Sequence, residues 1–534
     1  MNSRRDFMRT SFYTIGGASL YSLGCKSSHP IGMDSKLRAN LVTTGGVPIR
    51  QSIHALIADG DQNDPNGVIA SYKKAISIMS SLPDDNPIGW VGQASKHNEF
   101  CPHGDQFFLP WHRHYIYCFE KCIQYFSGNE QFALPYWDWT QVDLAGHGAT
   151  GVPQLFMDDD ILSFRGNPPM TQRSPSGSKN LPESIAGINT IKAIMEIGTF
   201  DLFQENLEGT PHNGIHVAVG SPDGTMITMW SPLDPIFWLH HCNVDRLWAV
   251  WQQGVSGAAA QSKVDTKQWL DREFQEQFHV PRVGLPVENA IAEPASHNLT
   301  VEYALEMIGR EFHSDELVAG FAESLDAAPL AAMPLPMPAA RSAAPQQNLQ
   351  EIVIGLTRDE IFFESKTASK MRLRLNIDEA KATEIRSVLE RQTGEKVVVL
   401  NQIPNPMHDS EDVGVNWKNV KRIDLYLNGN EDSEFFVGSH AFFMGFDPEF
   451  TKKFKSKNKK MANEANMHHV HADHFSKRKF SLNKAASQWQ RQRNAPIEFT
   501  LEFFSYNNSL SLDGLFEKGV DPTKYAAPFY LTIK

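Results

Sequence analysis

The stretch Asp234-Pro235-Ile-Phe-Trp-Leu-His240-His241-Cys-Asn-Val-Asp245-Arg246-Leu-Trp248 opens a helix that its own punctuation carries to Gln253. Asp234 can cap it, Pro235 suits its first turn, and Gly254 suits its stop. Its two adjacent histidines project about 100° apart around the axis, so both cannot easily face one metal ion. Spacing alone leaves open which of them ligates. Upstream, Glu208-Gly-Thr-Pro-His212-Asn213-Gly-Ile-His216 sets two histidines four residues apart. On a helix such a pair leaves one face and can grip one ion. A second cluster is Lys96-His97-Asn-Glu-Phe-Cys101-Pro-His103-Gly-Asp-Gln-Phe107-Phe108-Leu-Pro110-Trp111-His112-Arg113-His114, in which His112 starts a helix after Pro110.

Neutral imidazole suits copper, and an all-nitrogen site with open positions can bind and reduce dioxygen. Three nitrogens per metal, from two separated segments, is what a paired site needs. The chain holds 20 histidines, so most need an ordinary reading. His54, His114, His147, His279, His297 and His313 are read as core or surface residues.

His103-Gly-Asp-Gln-Phe-Phe-Leu-Pro-Trp-His112-Arg113 resembles the first copper motif of tyrosinases and catechol oxidases. The stretch Asp234–Trp248 resembles the second, and Leu134-Pro-Tyr-Trp-Asp-Trp-Thr140 is similar to the family stretch between them. The resemblance implies a mainly α catalytic domain, a four-helix bundle with long loops that holds a binuclear type 3 site of two copper ions. Carried over position by position, it makes His97, His103 and His112 the ligands of the first copper. His212, His216 and His241 become those of the second, the second histidine of the adjacent pair being chosen. Phe108 would pack against the ligand rings, and Asp245, one turn after His241, would support them.

Further roles follow from the same resemblance. Cys101 stands where some members bond a cysteine to the second histidine through a thioether. Glu208 and Asn213 stand where the family has its water-holding glutamate and accompanying asparagine, a base for deprotonating monophenols. Thr228 occupies a gate position that is phenylalanine in many plant catechol oxidases. The implied enzyme is an oxidoreductase that uses dioxygen on small phenolic substrates. It takes o-diphenols to o-quinones and hydroxylates monophenols at the ortho position. A diphenol-only catechol oxidase and a haemocyanin-like oxygen carrier are the alternatives.

The rest of the chain sets the context. A formal charge of −12 and a pI near 5.9 give no reason to expect nucleic acid as a partner. No run approaches the roughly 18–20 apolar residues of a membrane span. Arg4-Arg5 ahead of the weakly apolar Ser11–Gly24 reads as a twin-arginine signal over residues 1–35, handled by the twin-arginine export machinery. A periplasmic or extracellular location follows, with Leu23-Gly24-Cys25 as an imperfect site for a lipid anchor. Five cysteines are few for a disulfide-stapled exported protein, and Cys118 and Cys122 are read as core packing.

The catalytic domain is set at 36–326 and a Pro/Ala-rich linker at 327–348. A C-terminal β-sandwich follows over 349–534, from alternating runs such as Lys396–Leu400, Arg422–Leu427, Glu498–Phe504 and Phe529–Ile533. It resembles, more faintly, the tail domain of zymogenic polyphenol oxidases. That likeness implies a latent proenzyme with Phe442 or Phe443 as a plug in the substrate entrance. Lys452–Lys460 and Met467–His474 read as a solvated charged loop, with transient copper loading as the sharper alternative.

Overall fold

The computed structural model describes residues 43–44, 47–140, 151–163, 173–174, 178–220, 224–253, 267–274, 277–295, 299–307, 351–354, 361–366, 370–375, 377–392, 394–404, 420–427, 435–441, 475–492, 496–505 and 530–534. The segment 1–35, the linker 327–348, Phe442, Phe443, the lysine run 452–460 and the 467–474 cluster lie outside these residues. By internal contacts the chain divides into Met1–Val42 and Thr43–Lys534, and everything below belongs to the second unit.

The helical part is built around two long helices. Among the helices that matter here, α1 spans Val68–Ser81, α2 Trp90–Phe100, α3 Phe108–Ser127, α4 Phe200–Leu207, α5 Asn213–Gly220 and α6 Pro235–Gln253. Helix α6 has the bounds its punctuation sets, and Asp234 Oδ1 accepts the Ile236 N–H at 3.0 Å as a cap. Helix α3 begins at Phe108, four residues before the start expected at His112. Pro110 therefore sits inside the first turn, where its missing N–H has no intrahelical partner to lose. Gly128, at φ +74°, closes the helix by turning its N–H back onto the Gln124 carbonyl.

Helices α3 and α6 meet through Phe119 and Trp238, whose rings stack at 3.4 Å and 7°. A buried ionic chain also ties them. Arg50 forks onto Glu120 of α3 at 3.0 and 2.8 Å and reaches Asp245 of α6 at 3.2 Å. Arg113 of α3 meets the other Asp245 oxygen at 2.5 Å. All four groups are buried. Charges taken out of water hold only if every partner is in place, so this chain fixes how the two helices align.

The C-terminal part is two antiparallel sheets. Its strands are β1 Ile352–Ile354, β2 Ile361–Lys366, β3 Lys370–Leu375, β4 Val397–Pro404, β5 Val420–Leu427, β6 Phe436–Ala441, β7 Phe475–Ser481, β8 Phe499–Ser505 and β9 Tyr530–Ile533. One sheet has the order β6-β5-β8-β3-β2 and the other β7-β4-β9-β1. Alternate residues such as Ile423, Leu425 and Leu427, Phe499, Leu501 and Phe503, and Leu531 and Ile533 fill one core between them. Helices α7 (Glu379–Leu389) and α8 (Asn483–Arg491), which the strand pattern does not announce, cover that core with Ile385, Val388, Leu389 and Trp489.

This sandwich lies against the helical part. Strand β6 meets the turn after α4, where Thr210 Oγ1 donates to the Ser439 carbonyl and accepts the Ser439 N–H, both at 3.3 Å. Strand β7 meets α4, where the Lys479 N–H donates to Glu205 at 3.0 Å and Asn206 donates to the Lys479 carbonyl at 3.2 Å. A small apolar patch of Val217, Ile227 and Ala441 accompanies these bonds. Among the described residues no helix is long and apolar enough to cross a membrane.

Candidate metal centre

The sequence leaves a gap of 100 positions between its two histidine clusters, from His112 to His212, and the helices bring them together. His97 comes from α2, His112 from α3 and His241 from α6, while His103 stands on the loop between α2 and α3. His212 and His216 do not share one α-helix as expected. His212 ends a π-helical turn, Glu208–His212, that contains Pro211, and His216 lies one turn into α5. Wide turns of this kind accommodate a proline and re-aim side chains, and they recur at functional sites.

Two groups result: His97, Cys101, His103 and His112, and His212, His216, His240 and His241. In the first, the ring centroids of His97 lie 5.5 Å from His103 and 5.6 Å from His112. In the second, His212 lies 4.6 Å from His216 and 4.8 Å from His241. The groups face each other. His112 and His241 stack at 4.2 Å and 10°, and His103 lies 5.7 Å from His212. Phe108 stands between them, 4.6 Å from His112 and 4.7 Å from His212.

Four of the six rings are aimed by a bond on Nδ1. His97 Nδ1 donates to the Met229 carbonyl at 2.7 Å, His112 Nδ1 to Phe108 at 2.8 Å, and His216 Nδ1 to Met226 at 2.6 Å. His212 Nδ1 meets Asn213 Oδ1 at 2.8 Å. A carbonyl can only accept, so these bonds fix the tautomer and leave Nε2 with its lone pair toward the centre. His97 Nε2 is buried with no hydrogen-bond partner.

Burial keeps the rings neutral. It holds His97 down to about 4 and His212 down to about 3. Burial first, and neighbouring imidazoles second, put His103, His112, His216 and His241 well below the usual histidine range. A neutral imidazole is the form that binds metal. The donor set therefore fits two metal ions, one per group.

Three expectations need correction or refinement. Asp245 does not reach a histidine ring; its carboxylate is taken by Arg50 and Arg113. Its support is indirect, through the alignment of α3 and α6. His240, which spacing leaves open and the resemblance passes over in favour of His241, also closes on the second group, stacking on His212 at 5.2 Å and 20°. Neighbours on a helix do diverge, but His212 and His216 arrive between them from another element. Thr228 turns its hydroxyl back onto the Thr225 carbonyl at 2.9 Å and accepts the Trp230 N–H at 3.1 Å. It thereby shapes the loop whose Met226 and Met229 carbonyls hold one histidine of each group.

Glu208 is buried within this frame. Its Oε1 accepts the Gly104 N–H at 2.6 Å, and burial raises its carboxyl to about 7 against the pull of Arg478 and that N–H. Cys101 Sγ lies 3.5 Å from His103 Nδ1, 3.8 Å from its Nε2, and 3.2 Å from His112 Nε2. Arg478 of β7, bonded to His440 of β6 at 3.3 Å, brings positive charge toward Glu208, His103 and His212 from the C-terminal part. Nothing in the local sequence signals that approach.

Residues 71–171 and 163–254 match the family model described as the common central domain of tyrosinase. The tyrosinase of Streptomyces lincolnensis is 32% identical over 236 residues, which cover 38% of this chain and 82% of that protein. The chain belongs to the tyrosinase family. It is also 29% identical over 255 residues to the latent polyphenol oxidase of Prunus armeniaca, covering 39% of this chain and 41% of that one. Against that plant relative the match thus spans about two fifths of its length. Among solved structures, a latent aurone synthase aligns over 92% of this chain and 90% of its own, with TM-score 0.49 and 16% identity. The centre of a tyrosinase-family protein is a pair of copper ions. In this member His97, His103 and His112 would hold one, and His212, His216 and His241 the other.

Proposed function

We propose that the chain is a copper-dependent oxidoreductase that oxidises small phenols with dioxygen, taking o-diphenols to o-quinones and hydroxylating monophenols at the ortho position. The observation that carries this reading is the pair of imidazole groups facing each other across the His112–His241 stack, with Phe108 wedged between. Two copper ions bound there supply the redox chemistry with dioxygen. The chain supplies what the metals need: rigid rings, neutral nitrogens and a dry surround. Glu208 supports the monophenol step. A carboxylate raised to about 7 is poised to take a phenol proton near neutral pH. Asn213 acts beside it by fixing His212.

The sandwich supports a second element of the proposal, latency. Strands β6 and β7 are bonded to α4 and to the π turn that carries Glu208 and His212, so access to the second metal and the C-terminal part are structurally linked. Cleavage in the 327–348 linker is the proposed release. Phe442 or Phe443, next along the chain from β6, is the proposed plug. A thioether between Cys101 and His103 is proposed on their proximity and the family resemblance. Export by the twin-arginine route, on Arg4-Arg5, completes the reading.

The test is oxygen uptake with matched mono- and diphenols, L-tyrosine and L-DOPA, before and after linker cleavage, with copper quantified. Quinone from both substrates supports the full proposal. Quinone from L-DOPA alone reduces it to a diphenol oxidase, and reversible oxygen binding without turnover refutes it in favour of a carrier.

A further inference from the structure

We propose that Gln204 is a positioning residue for the monophenol step: its Oε1 and Glu208 Oε2 share one buried water, which keeps that carboxylate oxygen hydrogen-bonded before and after it takes a proton. The proposal rests on the monophenol reading above and names the group that completes its base. Gln204 lies on α4, and Glu208 opens the π turn that continues it, so the two side chains leave one face a turn apart. Both are tied to the loop that carries His103. Gln204 Nε2 donates to the Asp105 carbonyl, and the Gly104 N–H donates to Glu208 Oε1 at 2.6 Å. A carbonyl only accepts, so the Asp105 bond fixes the amide with its NH2 toward the loop and its oxygen away from it. Gln204 is 4% exposed and Glu208 1%. Gln204 Oε1 and Glu208 Oε2 nevertheless accept no hydrogen bond from any of the described residues.

Buried polar atoms are almost always satisfied by protein or by water. Two acceptors cannot satisfy each other, and a water brings a proton to each. While Glu208 is ionised, the water donates to both oxygens. Once Oε2 has taken the phenol proton, that O–H donates to the water, which still donates to Gln204. Gln204 thus holds the water in place across the transfer, and the carboxyl keeps a partner as its charge changes. Burial raises that carboxyl to about 7, so both forms are within reach near neutral pH. Asn213 turns its own amide oxygen to His212 Nδ1 at 2.8 Å, which leaves this acceptor role to Gln204. The rival arrangement is a protonated Glu208 bonded directly to Gln204, with no water between.

The experiment pairs a high-resolution crystal structure of the copper-loaded wild type with the kinetics of Gln204→Met, which keeps the side-chain length and removes both polar atoms. The structure is expected to show a water at hydrogen-bond distance, about 2.6–3.2 Å, from both oxygens. In Gln204→Met the ratio of kcat on L-tyrosine to kcat on L-DOPA should fall at least about tenfold, with two coppers per chain retained. Gln204→Leu carries the same readouts if the methionine variant does not fold, and the wild-type structure needs neither. No water between the two oxygens, or an unchanged ratio in the variant, overturns the proposal. A parallel loss of copper and of both activities marks a loop-holding role alone and overturns it as well. A wild type that oxidises L-DOPA and leaves L-tyrosine untouched overturns the monophenol reading itself, and that result is read before any variant is made.

Discussion

His112 and His241, 129 positions apart in the chain, lie ring on ring at 4.2 Å and 10°. The stack is possible because α3 and α6 run side by side, and it places one ring from each group at the shared boundary. Removing either ring should therefore affect both metals. His241→Phe preserves the stack and deletes the nitrogen. It is expected to reduce copper from two ions per chain to one or fewer, with diphenol turnover down about a hundredfold or more. Copper analysis alongside oxygen uptake checks this.

Asn213 is the side chain that aims His212, at 2.8 Å. Asn213→Leu frees Nδ1 of that ring while keeping its neighbours. Copper affinity should fall about 10- to 100-fold, read by chelator competition, with the unfolding midpoint of the apo form nearly unchanged.

Asp245 acts on the fold. Asp245→Ala strands Arg50 and Arg113 as buried cations without that partner. A loss of about 3–5 kcal/mol is expected, visible as an earlier urea midpoint. Asp245→Asn, which keeps the shape and loses the charge, should lose less.

The buried histidines set the pH dependence of the apo protein. Their folded-state values lie below the ordinary 6.5, His97 at about 4 and His212 at about 3, because burial penalises the charged ring. Unfolded chains therefore bind more protons between these values, and stability rises with pH across that window. It is fully present above pH 6.5 and drains away as pH falls toward 4 and below, with more than one proton taken up on unfolding. Melting temperatures measured from pH 7.5 to 4 should fall along that course, and a flat profile would show that the rings are not buried as described.

The latency proposal rests on polar bonds such as Lys479 to Glu205. Glu205→Lys removes the acceptor and sets two lysines side by side. Diphenol oxidation by the uncleaved chain is expected to rise several-fold, as domain contacts of this polar kind separate readily. Linker cleavage should then add little. Equal activity in the variant, the wild type and the cleaved protein would contradict latency.

Much of this centre is legible in the sequence because its signals are local. The caps of α6, the spacing of His212 and His216 and the order of the motifs are all written in neighbouring residues. What escapes is written in backbone and in distance. The Met226 and Met229 carbonyls have no side-chain signature, and the π turn at Glu208–His212 is announced only by Pro211. Helical geometry leaves open which of His240 and His241 faces the metal, because it places a ring on its own helix but not the rings that approach from another. Asp245, one turn after His241, reads as support for the ligand rings, whereas Arg50, 195 positions away, takes its carboxylate in space. The two helices that cover the sandwich core hide behind the stronger alternation of the strands around them.

X-ray absorption on the copper-loaded chain probes the paired centre most directly, since it reports both the ligands and the separation of the ions. Two coppers per chain, bound only through imidazole-type ligands and roughly 3.5–4 Å apart, is the predicted result. A single copper, or two with no copper–copper scattering, would contradict a shared centre between the facing histidine groups.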